Sequence, residues 1–123
     1  MKELLKKIQA VSIGAILVFL STPNNASAAY LYWGSPRVRT VSVQTCFSFA
    51  NDTMRSLNFQ NIRRSGNEVA GTRGSSYAAI TCLGTNPNAT AMVMVVGDNG
   101  DEVANTRNNL SDKISGITCF EGC

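Results

Sequence analysis

Histidine is absent from this 123-residue sequence. With it go the commonest general base, every Ser-His or Cys-His nucleophile arrangement and the usual catalytic zinc sites. Charge is scarce as well, at 15% of residues against 44% hydrophobic. That balance excludes an intrinsically disordered chain, because enough apolar surface is available to offset the entropy of ordering. Three prolines and ten glycines form no low-complexity segment, and no self-similarity appears at a solenoid period. No apolar run is long enough to cross a bilayer: the one marked run, Ala10 to Leu20, falls short of the about 20 residues that a spanning helix takes.

What is present begins with an export pattern. Lys2, Lys6 and Lys7 make a basic head, Ala10 to Leu20 an apolar centre, and Ala26, Ser27 and Ala28 offer small side chains to a signal peptidase. This predicts a secretory signal over residues 1–28, cleaved after Ala28, and a periplasmic or secreted protein; the short signal points to a bacterial source. A lipid anchor would need a cysteine directly behind the apolar run, and the first is Cys46. Loss of the signal leaves eight basic and seven acidic groups. A chain so close to neutral lacks the clustered cations with which nucleic-acid proteins displace counterions, so no nucleic-acid partner is expected.

The remaining chain divides into an aromatic N-terminal arm over residues 29–36 and one small α+β domain over 37–123. Arg37 to Val43 is rich in β-branched residues and reads as a short strand or an extended lead-in. Val43, Cys46, Phe47, Ala50, Met54 and Leu57 recur at spacings of three and four, one stripe of a helix ending near Asn58. Ser65-Gly66-Asn67 suits positive φ, which predicts a hairpin with arms at Phe59 to Arg64 and Glu68 to Arg73. Ser76 to Leu83 reads as another strand, and Gly84 to Asn88 as a turn. Ala89 to Val96 is apolar on both alternating faces, as in an interior strand. Asn99 then caps a second helix, with Glu102 placed to bond back to the cap and Gly116 as its stop. The pattern predicts a two-layer α+β sandwich, an antiparallel sheet of three to four strands with two helices on one face, in the ferredoxin-like neighbourhood. A closing strand would have to come from Ile117 to Phe120.

Four cysteines, Cys46, Cys82, Cys119 and Cys123, all follow the signal, so two disulfides are expected in an oxidising compartment. Cys46 faces the sheet from the first helix and Cys82 shares strand parity with Ala78 and Ile80. That favours Cys46 with Cys82 and Cys119 with Cys123, with Cys82 to Cys119 as the rival pairing. Zinc is disfavoured, since the one close pair is Cys119 and Cys123 and no histidine completes a set. Neither metal nor cofactor is expected. Asp98, Asp101 and Glu102 cluster, but an EF-hand fails because Val103 stands where glycine is required and Asn109 where glutamate is. Gly66 to Arg73 has a P-loop outline, yet it ends in Thr-Arg where Lys followed by Ser or Thr is needed, inside a hairpin. Lys113 is the one lysine beyond the signal. Arg63, Arg64 and Arg73 share the hairpin arms and form a candidate anion patch, against a plain reading as solvated edge charges.

Two apolar features remain. Tyr30, Leu31, Tyr32 and Trp33 crowd the arm, while Met92 and Met94 lie on the strand face opposite Val93 and Val95. If both helices cover one sheet face, either the arm folds over the other or that face binds a partner or a second copy. Tyr30, Tyr32, Trp33, Met92 and Met94 are the candidate partner surface. Separately, Gly74-Ser75-Ser76-Tyr77 resembles the Ser-Gly-x-x-Tyr loop of periplasmic lysozyme inhibitors over those four residues. Arg73 stands where that serine would be, the family's second motif of tyrosine followed by Thr-Lys-Gly is missing, and its fold is an all-β barrel. The resemblance implies inhibition of an extracellular or periplasmic hydrolase as a second reading. The leading expectation is a non-catalytic binding or interaction module; an enzyme working with carboxylates and arginines alone comes third.

Overall fold

A computed structural model describes residues 29–118. The 1–28 segment, Cys119, Phe120 and Cys123 lie outside that range. The chain order is β1 (Tyr30–Gly34), α1 (Val43–Ser56), β2 (Gln60–Ser65), β3 (Glu68–Arg73), β4 (Ser76–Leu83), β5 (Thr90–Gly97) and α2 (Gly100–Gly116).

Helix α1 starts where the Ser42 side chain accepts from the Thr45 N–H at 3.1 Å, which satisfies one of the orphan donors of the first turn. It ends in a Schellman arrangement. Asn58 takes φ 63°, the Phe59 N–H donates to the Met54 carbonyl and the Asn58 N–H to the Arg55 carbonyl. Phe59 and Met54, the two residues joined by that bond, are both buried. The stripe behind the helix is as the spacing predicts: Cys46, Phe47, Ala50 and Met54 face the core.

Strands β2 to β5 form a meander. Gly66, at φ 58°, makes the β2–β3 turn, and Gly74, at φ 63°, the β3–β4 turn, positions where a side chain would be strained. Strand β5 then gains a further neighbour that the sequence does not announce. The aromatic arm is β1, paired antiparallel with β5 from Tyr30 opposite Gly97 to Gly34 opposite Val93. The sheet therefore has five strands in the order β1-β5-β4-β3-β2, instead of three to four, and the arm lies in the sheet plane instead of folding across it. The reason is the bare edge of β5, whose unpaired backbone groups a five-residue apolar segment can satisfy. This order, a meander with β1 added at its far side, also departs from the ferredoxin-like βαββαβ succession. Arg37 to Val43 is not a strand; only Arg37 makes a bridge, to Thr90.

Both helices cover one face of this sheet. Cys46 of α1 and Cys82 of β4 are joined in a disulfide, while Val103, Leu110 and Ile114 of α2 are fully buried beside Val93 and Val95. The Asn99 side chain caps α2 by accepting from the Glu102 N–H at 3.0 Å. Glu102 does not bond back to the cap; its Oε1 accepts from Ser75 Oγ at 2.6 Å and so ties the β3–β4 turn to the helix.

Candidate functional site

Residues directly opposite in an antiparallel pair share a sheet face, so the register defines what the helices leave uncovered. One row runs Leu31, Val96, Tyr77 and Thr72; the next runs Trp33, Met94, Ala79, Ala70 and Arg63; a third holds Met92, Thr81, Glu68 and Ser65. The half made by β1, β5 and β4 is mostly apolar; charge appears toward β2 and β3 in Arg63 and Glu68, and at the start of β5, where exposed Arg37 lies opposite Thr90. Leu31 is 59% exposed, Trp33 57% and Met94 45%. Leu31 and Met94 border a hollow of about 80 Å³, lined also by Tyr77, Ala79, Val95 and Val96. Of these, the small Ala79 lies opposite the long Met94 in the register, next to the Leu31 row.

The structure thus divides the candidate partner surface. Trp33, Met92 and Met94 lie on the open face. Tyr30 and Tyr32 lie on the helix side: a Cβ on Gly100 would come within 3.3 Å of the Tyr30 ring, and the Arg107 guanidinium sits 5.8 Å from the Tyr32 ring centroid. Leu31, Tyr77 and Ala79 join the surface, beyond the residues expected there. Their signal was strand parity, since Tyr77 and Ala79 alternate with Ala78 and Ile80 and must face away from the helices.

The three arginines do not form a patch. Arg63, on the open face, donates to the Tyr77 hydroxyl at 3.1 Å. Arg64, on the helix side, stacks 4.2 Å from the Phe47 ring centroid and donates to Gln44 Oε1 at 3.3 Å. Arg73 reaches under the sheet, donating to the Leu57 carbonyl and to Thr106 Oγ1, both at 3.3 Å. Strand alternation separates Arg63 from Arg64, and Arg73 is used to hold the end of α1 against α2. A second groove, of about 230 Å³, runs beside Arg64 and is lined by Phe47, Ser48, Asn51, Arg64 and Val69.

Comparison with family models, with characterised proteins and with solved structures finds no match for this chain. The site therefore stands on its own geometry. Among the described residues no three His, Cys, Asp or Glu side chains gather as metal ligands, and no helix is long and apolar enough to cross a membrane. The acidic residues Asp101 and Glu102 occupy the first turn of α2, where the positive end of the helix favours them. The Gly74-Ser75-Ser76-Tyr77 turn is fastened to Glu102, and the sheet around it is open and backed by helices, in contrast to the all-β barrel of the lysozyme inhibitors.

Proposed function

We propose that this protein is an exported, non-catalytic interaction module that works in the periplasm or outside the cell, and that the open sheet face is its docking surface. One observation carries the reading: Leu31, Trp33 and Met94 stand exposed together, two of them lining an apolar hollow, on a face that no element of the described chain covers. A contiguous apolar patch of a few hundred Å² on a soluble domain ordinarily marks an interaction site. Methionines at its centre suit a contact that must adapt to another surface. The disulfide between Cys46 and Cys82 is compatible with an oxidising compartment, where such bonds persist.

The test is binding of anilinonaphthalene sulfonate, a fluorescent apolar probe, to dilute folded protein. Fluorescence should rise with wild type and fall at least several-fold with Leu31→Ser and Met94→Ser combined, at unchanged circular dichroism. A wild-type protein that does not enhance the dye, or a double variant that enhances it equally, would overturn the docking surface.

A further inference from the structure

Exposure on the open face is concentrated along one margin. From Leu31 to Val41 every second residue is exposed, the series being Leu31, Trp33, Ser35, Arg37, Arg39 and Val41. The residues between them are more covered, and the last two, Val38 and Thr40, are buried. Register fixes the side: Trp33 lies opposite Met94 and Arg37 opposite Thr90, on the strand face that alternates with buried Ala91 and Val93. Exposed Leu83 continues the Arg37 row, across Thr90. Large apolar groups and arginines thus share one strip. A protein interface is built differently, with an apolar core inside a polar rim. Here the middle of the face is made of small residues, Ala70 opposite Ala79, and the bulky groups stand at the margin beside the cations. A bilayer surface accepts that mixture, since tryptophan settles at the headgroup level and arginines at the phosphates.

Charge is sorted in the same sense. Arg37 and Arg39 on this margin are joined by Arg63, whose bond to the neutral Tyr77 hydroxyl leaves its charge in place. Glu68 is the one acid on the open face among the described residues. The other described acids are Asp52 in α1, Asp98 ahead of α2, and Asp101, Glu102 and Asp112 within α2. We propose that the open sheet face seats the protein on an anionic phospholipid bilayer, with Trp33 and Leu31 in the interface and Arg37 and Arg39 at the lipid phosphates; this rests on the reading of that face as a docking surface. Such a partner needs no matching relief, which suits a face whose hollow is only about 80 Å³. Each arginine close to an anionic leaflet strengthens adsorption about fivefold, and added salt weakens that part by screening.

The chain reports on its own adsorption, because Trp33 is its single tryptophan. The full disulfide-bonded protein is titrated with vesicles of phosphatidylcholine alone and of equal parts phosphatidylcholine and phosphatidylglycerol, and co-sedimentation and tryptophan emission are read together. The expected result is adsorption to the mixed vesicles accompanied, at the same midpoint, by a shift of Trp33 emission to shorter wavelength, and adsorption at least about tenfold weaker without phosphatidylglycerol. Arg37→Gln with Arg39→Gln should weaken adsorption about 25-fold at unchanged circular dichroism. Leu31→Ser with Met94→Ser should abolish the emission shift, and the arginine pair, outside every named strand, serves should that second pair disturb β1. Failure to adsorb to the mixed vesicles, or equal adsorption to both kinds, overturns the proposal. So does adsorption that leaves Trp33 emission unmoved or survives both double variants, since it would belong to another surface or to the Ala10–Leu20 segment. Dye binding by a protein that does not adsorb would overturn the bilayer alone and leave the docking surface standing with a protein as its occupant. Absence of dye binding would remove the docking surface itself.

Discussion

At Gly97 the sheet and α2 approach so closely that a Cβ would lie 2.9 Å from Val103 Cγ2, 3.1 Å from Ser76 Oγ and 3.2 Å from the Ser75 carbonyl oxygen. The backbone oxygen and the buried valine cannot both give way. Gly97→Ala should therefore destabilise the fold by about 1–3 kcal/mol, as overpacking of a dense interior does, measured as a lower midpoint in urea at unchanged slope. Arg73 makes a different single-residue contribution. Its guanidinium satisfies the Leu57 carbonyl at the exposed end of α1, bonds Thr106 of α2 and lies 5.2 Å from the Phe59 ring centroid. Arg73→Met keeps much of the aliphatic stem but loses the bonds to a charged donor. The expected cost is about 1–3 kcal/mol, and an unchanged urea midpoint would show that solvent replaces those bonds without loss. Nothing in the sequence marked Arg73 as structural, because its partners are 16 and 33 positions away.

Among the elements, the tie between α1 and β4 weighs most. The Cys46–Cys82 disulfide spans 36 positions, and in the chain-entropy model closing such a loop is worth about 4 kcal/mol. The double Cys46→Ala, Cys82→Ala variant should lose roughly that much, a large share of the stability of a domain this small. Thermal unfolding read by circular dichroism checks it. That pairing was legible, because helical spacing and strand parity point both cysteines into one layer. Legible for the same reason were α1, α2 and strands β2 to β5: each has a stripe or an alternation, and Gly66, Gly74 and Asn99 punctuate them. The Tyr30–Gly34 strand was not. Four consecutive apolar residues have no period to read, and their strand identity depends on the bare edge of β5, which is settled only in three dimensions. The two outer strands also differ. β2 carries a register shift between Gln60 and Arg63, with Asn61 at φ 54°, and two arginines, devices that discourage pairing with another chain. β1 carries no charge, and its protection is the bond from Arg107 Nη1 to the Trp33 carbonyl at 2.7 Å.

For the whole molecule, the division of labour between the two faces of the sheet is the main result. One face is closed by both helices and by the disulfide; the other presents Leu31, Trp33 and Met94 to solvent. The doubly apolar β5 made part of this visible in advance, since Met92 and Met94 alternate with Val93 and Val95. The contributions of Leu31 and Trp33 were not visible, because they depend on β1 joining the sheet in register. Which strand lies next to β5 also bears on the order of synthesis. Among the described residues the first strand to be made pairs with the last, so Tyr-Leu-Tyr-Trp must wait, unpaired, while the intervening chain is translated. Any chain interrupted before Thr90 has no strand for it to join, and such a fragment would leave these four apolar side chains bare.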